Sequence, residues 1–276
     1  MRIDYKIDFK NERIAPFRIF GNLYYVGARF GTSHLIDSGD GLILLDTGLP
    51  QTLHLVIESI WELGFDPRNI KYIIHSHGHY DHIGGTKALK ALSGAKTFIG
   101  SGDENYVNGK LDLTWAKELG YHFESPFEAD AIMHDGDAIQ LGSASIKCVA
   151  SPGHSPGTMS FFFNVSEGKN TCRAGMHGGV GINSMSREFL DEYGLSYDCR
   201  EKFLKGLDRL KEEHVDIFLG NHIGNNDTEG KYAKRKQGGS NPFINPAEWR
   251  PFLERCGKSL QDMIEKEKAP PFGRGA

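Results

Sequence analysis

The chain lacks an apolar run long enough to cross a lipid bilayer, for which about 20 residues are needed. Its first ten residues alternate charged and apolar side chains, so they do not form the apolar segment of a secretory signal peptide. We therefore expect a cytoplasmic protein without a membrane partner. If a leader peptide has been removed, the expected location is periplasmic or secreted.

An excess of basic charge is also absent. The net charge is -4 with histidine neutral, which gives no support for a nucleic-acid partner. The apolar content of 39% and the charged content of 25% are ordinary for a soluble globular protein and suffice for a hydrophobic core. We predict one domain over residues 1–276, in which residues 1–15 form an N-terminal arm. The oligomeric state is left open.

Cysteine is scarce, and its positions exclude the common thiolate metal motifs. No two cysteines stand in a Cys-x-x-Cys pair, the spacing typical of zinc ribbons and redox sites. We expect small, buried apolar side chains rather than a disulfide framework. The cysteines are Cys148, Cys172, Cys199 and Cys256.

Histidine, in contrast, is concentrated in one short stretch. His77, His79, Asp81 and His82 occupy six residues in the pattern His-x-His-x-Asp-His. A strand-like apolar run precedes them and a helix-forming run follows, so the pattern lies in a strand-to-helix turn where four polar groups point at one spot. Imidazole nitrogens and a carboxylate in such a turn suit zinc, at about 2.0–2.2 Å. The alternative interpretation is a histidine-rich, solvated turn.

Two further histidines stand where predicted strands end in loops. His154 lies in a loop with two prolines and two glycines, which lets the backbone approach a site closely. His222 follows the apolar strand at residues 217–219. Histidine thus stands at the ends of three separate predicted strands, and we predict that these histidines lie close together in the fold.

Other polar residues near these motifs have less certain roles. Asp46 ends a buried strand, and we expect either an acceptor that orients a ligand histidine or an ordinary turn residue. His177 is either an additional ligand or a neighbour of the site, and His75 belongs to the strand end. The remaining histidines have no ligand-like setting; they are His34, His54, His122, His134 and His214.

Short β-rich runs alternate with amphipathic helices along the chain. Asp40-Gly41 predicts a hairpin turn between strands at 34–37 and 42–45, because glycine tolerates positive φ. Hairpins outnumber strand–helix–strand crossovers early in the chain, and helices then cover the strands on two sides. The predicted class is α/β, and a four-layer αββα sandwich fits better than a doubly wound sheet.

The C-terminal part predicts two helices separated by a strand and a loop. We expect helices over residues 198–210 and 246–265, the second with Asn245 as its N-cap and Pro246 in its first turn. Residues 224–241 are basic and rich in loop-forming residues, so we predict a loop there.

The histidine pattern at residues 77–82, the Gly-His-Ser-Pro-Gly sequence at 153–157 and the late His222 together resemble the metallo-β-lactamase superfamily. The resemblance extends over residues 16 to 265 and implies an αββα sandwich with its site at one sheet edge. Three further segments are similar to the third subclass of class B β-lactamases: residues 16–27, 44–48 and 241–246.

The same resemblance implies two zinc ions. By that likeness His77, His79 and His154 hold the first ion. Asp81, His82 and His222 hold the second. The residues that carry catalysis are then Asp81, His77, His79 and His154.

Two positions depart from the patterns of related proteins. Met176 stands where many binuclear members carry a bridging aspartate, and a thioether cannot replace that carboxylate on zinc. This speaks against the glyoxalase-like and phosphodiesterase-like branches and is compatible with the third lactamase subclass. Cys256 matches one partner of a C-terminal disulfide found in secreted members of that subclass, but Val215 stands at the other.

The resemblance implies a zinc-dependent hydrolase, most simply a β-lactamase that cleaves the lactam amide with a zinc-activated hydroxide. One carboxylate among six ligands leaves the site positive, so an anionic small-molecule substrate is expected. The alternatives are a lactone or thioester hydrolase on the same scaffold, a di-iron redox protein and a non-catalytic zinc-binding module. Iron is disfavoured because that branch commonly has Glu where this chain has His79.

Overall fold

In residues 7–268, which the computed structural model describes, twelve β-strands form two sheets. The first sheet has the order β1-β2-β3-β4-β5-β6-β7. Pairing from β1 to β4 is antiparallel, and pairing from β4 to β7 is parallel. The strands are β1 (Phe17–Phe20), β2 (Leu23–Tyr25), β3 (His34–Asp37), β4 (Leu42–Leu45), β5 (Ile70–Ile74), β6 (Lys96–Gly100) and β7 (Ala131–Met133).

The second sheet has the order β12-β11-β10-β9-β8, antiparallel except for the parallel pair of β11 with β12. Its strands are β8 (Ala138–Leu141), β9 (Ala144–Ala150), β10 (Met159–Glu167), β11 (Asn170–Met176) and β12 (Ile217–Leu219). The helices are α1 (Leu53–Glu62), α2 (Tyr80–Ile83), α3 (Thr86–Ser93), α4 (Glu104–Val107), α5 (Arg187–Glu192), α6 (Asp198–Leu210), α7 (Thr228–Lys236) and α8 (Trp249–Lys268).

Side-chain alternation along β10 shows how the layers are built. Phe161 and Phe163 enter the core between the two sheets, together with residues of β1, β4 and β5. Phe162 points the other way and packs edge-on against Trp249 of α8, with ring centroids 5.8 Å apart. Each such buried aromatic side chain contributes about 1.5–3 kcal/mol to folding through loss of apolar surface.

Helices cover the outer face of each sheet. Val56 and Ile60 of α1 pack on Leu44 of the first sheet, and Phe203 of α6 and Leu253 of α8 pack on the second. The order of layers is therefore helix, sheet, sheet, helix, which confirms the predicted αββα sandwich. None of the helices in residues 7–268 combines the length and the apolar character that a membrane span requires.

The basic segment predicted as a loop contains α7, so that prediction was wrong. The helix follows Asp227, whose φ of 55° turns the chain, and it ends in three basic residues that complement the helix dipole. Lys231 is buried on this helix and forms an ion pair with Glu248. Most residues of α7 are polar or charged, so its sequence carries little apolar periodicity.

The last helix begins at Trp249 rather than at Pro246. The backbone amide of Asn245 donates to the carbonyl oxygen of Asp216 at 2.8 Å, and Ile244 forms a β-bridge with Ile217. This pairing with the second sheet keeps the chain extended through Asn245, so the predicted N-cap is wrong.

The predicted N-terminal arm and the predicted free cysteines can also be compared with the structure. Residues 1–6 of the predicted arm lie outside the described residues, whereas Ile14 is buried in the core between the sheets. All four cysteines are free thiols. Cys148 and Cys256 are buried, and Val215 packs in the same apolar cluster as Cys256.

Candidate metal centre

Six ligand-type side chains meet at one edge of the sandwich, where β5, β9 and β12 end. Their donor atoms fall into two triplets, and within each triplet the atoms lie within 4.8 Å of one another. The two triplets are His77, His79 and His154, and Asp81, His82 and His222. We call these residues the six-donor cluster. All six metal-site residues expected from the sequence are thus brought together.

The polypeptide reaches this edge through close backbone contacts between the sheets. The loop after β5 carries His77 and His79, and the amide of Met159, at the start of β10, donates to the carbonyl of Ser76 in that loop at 2.8 Å. Gly178 lies over the same point, where a Cβ atom would meet the carbonyl oxygen of Met159 at 2.0 Å. Only glycine therefore fits this position, and its carbonyl accepts hydrogen bonds from the side chains of His77 and Asn221.

Backbone carbonyls determine which nitrogen of two histidines faces the cluster. Nδ1 of His77 donates to the carbonyl of Gly178 at 2.8 Å, and Nδ1 of His154 donates to the carbonyl of Gly181 at 2.6 Å. The hydrogens therefore lie on Nδ1, and the two Nε2 atoms present lone pairs to each other at 3.1 Å. Two acceptors at this distance repel, so the pair fits a cation bound between them.

A carboxylate has the same effect on His82. Oδ2 of Asp46 accepts from Nδ1 of His82 at 2.8 Å, and the Asp46 carboxylate also accepts from the amide and the hydroxyl of Ser76, each at 2.7 Å. Nε2 of His82 is thereby directed toward Nε2 of His222 at 3.4 Å and Oδ2 of Asp81 at 3.4 Å. Asp46 orients this histidine, as one of the two sequence interpretations predicted.

Burial and mutual charge shift the protonation of the cluster. Burial, followed by the neighbouring imidazoles, holds the pKa of His77 well below its ordinary value. Burial also disfavours the charged form of His82, but the carboxylates of Asp81 and Asp46 outweigh it and raise the pKa of His82 to about 10. Burial opposes ionisation of Asp81, yet the surrounding histidines, His82 foremost, lower its pKa well below the ordinary value. A bound cation therefore competes with one proton on His82.

Asp103 is a further buried residue of the site that sequence reasoning missed. Its Oδ2 accepts from the amide of Gly78 at 2.7 Å and from the hydroxyl of Ser155 at 2.6 Å, and its Oδ1 accepts from the amide of Gly157 at 2.7 Å. Burial raises the pKa of Asp103 to about 6. No motif marks this residue; the available signal was its place just after β6, the same strand-end position that the histidines occupy.

The other residues considered from the sequence lie outside the two triplets. His177 is buried, and its Nδ1 accepts from the amide of Gly179 at 3.1 Å. Met176 packs in the core between the sheets and offers no oxygen to the cluster. His75 follows β5, and its Nε2 lies 3.1 Å from the hydroxyl of Thr86.

A cavity of about 290 Å³, which we call the metal-site cavity, opens over the six-donor cluster. Trp115 forms part of its wall, with its ring centroid 5.9 Å from that of His79. The backbone of Trp115 has a φ of 65°, a left-handed conformation that a non-glycine residue adopts at a cost of about 1–3 kcal/mol. Such strain is typical of residues held in place beside a functional site.

The architecture and the cluster define a metallo-hydrolase fold, and the comparisons with known proteins agree. The family model of the metallo-beta-lactamase superfamily matches residues 26–166, so the chain belongs to this superfamily. The structure resembles that of BJP-1, a subclass B3 metallo-beta-lactamase of Bradyrhizobium japonicum, with a TM-score of 0.85 and 27% identity over 94% of this chain and 97% of that chain.

Two curated relatives have the names of other hydrolases. A hydroxyacylglutathione hydrolase of Methylococcus capsulatus is 29% identical over 103 residues, which are 37% of this chain and 30% of that protein. The match therefore spans less than a third of that relative. An N-acyl homoserine lactonase of Bacillus thuringiensis is 24% identical over 222 residues, 69% of this chain and 80% of the lactonase. Family and relatives confirm the predicted class, a hydrolase of this superfamily with a metal-binding site.

Proposed function

We propose that this protein is a zinc-dependent β-lactamase that cleaves the β-lactam amide. The observation that carries the proposal is the convergence of the six-donor cluster, in which lone pairs of His77 and His154 face each other at 3.1 Å. The likeness to a subclass B3 enzyme over nearly the whole of both chains supports the choice of substrate.

The donor set fits zinc in both triplets. Zinc accepts imidazole nitrogen and carboxylate oxygen, and three protein ligands leave an open position, as catalytic sites require and structural sites do not. His77, His79 and His154 would hold one ion, and Asp81, His82 and His222 the other. Bound zinc lowers the pKa of water to about 7 and polarises a carbonyl group.

The chain's own groups prepare the ligands for that chemistry. Nδ1 of His77 and Nδ1 of His154 donate to the carbonyls of Gly178 and Gly181, and Nδ1 of His82 donates to the carboxylate of Asp46. In all three histidines Nε2 is therefore the nitrogen that faces the cluster and can bind a metal ion. Asp81 is the one anionic group among the six, and two divalent cations would leave the site positive. A positive site attracts an anionic substrate, and the carboxylate of a penicillin or cephalosporin meets that requirement.

The wall of the metal-site cavity would shield the reaction from water. Trp115 covers His79 on one side, and Phe30 stands against His222 with ring centroids 6.0 Å apart. Ser184 lies across the cavity, where its hydroxyl donates to the carbonyl of His154 at 2.7 Å. This bond stabilises the loop that carries His154.

A lactone or thioester hydrolase is the second candidate. It is supported by the likeness to the lactonase and to the hydroxyacylglutathione hydrolase. Such an enzyme would use the same donors on an ester or thioester carbonyl. Met176 favours the lactam activity over this one, since no carboxylate stands between the two triplets at that position.

The deciding experiment is turnover by zinc-loaded protein across penicillins, cephalosporins, carbapenems, lactones and thioesters. We expect lactam hydrolysis that is abolished by a chelator and restored by zinc. Hydrolysis of lactones or thioesters without lactams would favour the second candidate. A fully zinc-loaded protein that hydrolyses none of these would indicate a non-catalytic zinc-binding module.

A further inference from the structure

The loop that joins β2 to β3, residues 26–33, lies against both segments that supply the second triplet. We call it the β2–β3 loop. A Cβ atom on Gly31 would meet the carbonyl oxygen of Asp81 at 2.4 Å, so the two backbones are in contact. The hydroxyl of Thr32 donates at 2.9 Å to the backbone carbonyl two residues before His222. The position of this loop therefore affects where both ligand segments lie.

His222 is oriented differently from three other histidines of the six-donor cluster. Those three each donate a hydrogen bond from Nδ1 to an oxygen atom. For His222 the structure shows ring packing instead: Phe30 of the β2–β3 loop meets the imidazole edge-on, with ring centroids 6.0 Å apart and planes at 67°. Nε2 of His222 lies 3.5 Å from Oδ2 of Asp81. Because the phenyl ring limits rotation of the imidazole, its position helps to set the direction of this nitrogen.

Glu12, in the N-terminal arm, fixes the backbone of Phe30. Its carboxylate accepts from the amide of Phe30 at 2.5 Å, and its carbonyl accepts from the amide of Arg29 at 2.9 Å. Glu12 is only 6% exposed, and a buried carboxylate requires such donors. A carboxylate accepts a hydrogen bond more strongly than a neutral oxygen does. The arm is thereby linked to the ring that packs on His222.

Arg29 links the same loop to the helix that follows His222. Its Nε and Nη2 atoms donate to the two carboxylate oxygens of Glu229 at 2.9 and 2.6 Å, a bidentate geometry that fixes direction as well as distance. Glu229 lies in the first turn of α7, and the amide of Thr228 in that turn donates at 3.0 Å to the carbonyl of Ile223, the residue after His222. The β2–β3 loop and the segment that carries His222 are therefore joined outside the cluster.

We propose that Glu12 and Arg29 are positioning residues for the second metal ion, because they hold Phe30 against His222 and so fix the donor that this histidine offers. Neither residue belongs to the six-donor cluster or to the wall of the metal-site cavity. The inference rests on the two-ion site of the proposed function and adds to it a residue of the N-terminal arm.

Zinc affinity tests the role of Glu12 without any turnover. Glu12→Ala removes the acceptor for the Phe30 amide, and we expect about 10-fold weaker binding of the second ion with the first unchanged, as for other groups that support metal ligands. Glu12→Gln removes the same charge but keeps an oxygen that can accept from this amide, so it should recover most of the lost affinity. Competition with a chromophoric chelator measures both ions.

Two results would overturn the role of Glu12. One is a second-ion affinity in Glu12→Ala that equals that of the wild type. The other is an equal loss in Glu12→Ala and Glu12→Gln, which would assign the effect to charge rather than to position. Absence of hydrolysis of every substrate would remove the proposed function, and the affinities would still decide this inference.

A charge exchange tests the role of Arg29. The side chains of Arg29 and Glu229 are 38% and 43% exposed, so their pair adds little to the stability of the fold. We expect about two- to five-fold weaker binding of the second ion in Arg29→Glu. Adding Glu229→Arg restores the pair in reverse and should recover the affinity. A double variant no better than Arg29→Glu alone would contradict the proposed link.

Arg68→Glu is the matched control. Arg68 also forms an ion pair, with Asp66 at 2.6 Å, but it lies before β5, at the opposite end of this strand from the cluster. It makes the same change of charge as Arg29→Glu and should bind both ions as the wild type does. An equal loss in Arg68→Glu would show that net charge, not position, determines the affinity.

Cadmium-113 spectra of the metal-loaded protein give a separate signal for each site. The two triplets differ in their donors, so two resonances are expected, and His222→Ala identifies the second by its loss. In Glu12→Ala and Arg29→Glu only the second resonance should shift. Equal shifts of both would indicate a general disturbance of the fold and overturn the inference. A wild type that binds a single ion would overturn the two-ion site as well, whereas unchanged spectra in the variants would overturn the inference alone.

Discussion

The hydroxyl of Ser155 donates a 2.6 Å hydrogen bond to the carboxylate of Asp103, and both side chains are buried. The same carboxylate oxygen accepts from the amide of Gly78, which lies between His77 and His79. One side chain thus ties the loop that follows β5 to the loop that carries His154. Two segments far apart in sequence are held at a fixed separation, and with them the first triplet of donors.

Removing this tie should weaken metal binding. In Asp103→Ala the two loops lose three hydrogen bonds, so the spacing of His77, His79 and His154 is no longer fixed. We expect a loss of about ten-fold or more in zinc affinity, the range measured when groups that support metal ligands are removed. Competition with a chromophoric chelator measures it. Asp40→Ala, in the exposed turn after β3, is the control and should bind zinc as the wild type does.

The buried Asp103 also predicts a pH dependence of stability. Burial raises its pKa from 3.8 to about 6, so between these values the folded protein keeps a proton that the unfolded chain has released. The free energy of unfolding therefore falls as pH rises from about 4 to about 6, by about 3 kcal/mol for full ionisation. This loss of unfolding free energy is absent below about pH 4 and complete above about pH 6.

Urea denaturation of metal-free protein at several pH values measures the effect. Asp103→Asn cannot ionise at this position, so the difference in unfolding free energy between wild type and variant should change across the window and be constant on either side. A difference that stays the same from pH 4 to pH 7 would show that Asp103 titrates as an ordinary surface carboxylate does.

The second triplet depends on Asp46 in a different way. In Asp46→Asn an amide hydrogen can face Nδ1 of His82, which favours the tautomer with its hydrogen on Nε2 and removes the donor from the cluster. We expect about 10- to 100-fold weaker binding of one of the two zinc ions. Metal titration followed by elemental analysis should show a bound stoichiometry near one under conditions that load two in the wild type.

Ser76→Ala is the matched control for this variant. It removes one donor to Asp46 but leaves the bond between Asp46 and His82 in place. Its effect on zinc affinity should be smaller than that of Asp46→Asn. Because the Ser76 hydroxyl also lies 3.0 Å from Nδ1 of His77, the comparison is made at the second zinc ion alone, where equal losses in the two variants would show that the carboxylate acts by packing rather than by selecting the tautomer.

Sequence reasoning succeeded where side-chain pattern and local structure coincide. The order of hairpins and crossovers predicted the layers, and the histidine turn after β5 together with the strand-end residues His154 and His222 predicted where the donors meet, because each of these is a short-range signal. The sequence wrongly predicted a loop where α7 forms, because the buried Lys231 of this helix is paired with Glu248. It also wrongly predicted Asn245 as a helix N-cap, because the extended backbone of this residue depends on its hydrogen bond to Asp216. It missed Asp103 because the donors that give this residue its role are 25 to 54 positions away. These features depend on tertiary contacts and have no local pattern.

Zinc and a proton compete for His82. Without metal, Asp81 and Asp46 raise the pKa of His82 to about 10, so at neutral pH this histidine is protonated and must lose a proton to bind zinc. For one proton released, the apparent affinity of the second triplet should rise about ten-fold per pH unit between pH 6 and pH 8. Isothermal titration in buffers of different ionisation enthalpy counts the released protons directly. Zinc binding that releases no proton at pH 7 would contradict the charge balance described for the six-donor cluster, and a slope that persists unchanged in His82→Ala would assign the proton to another residue.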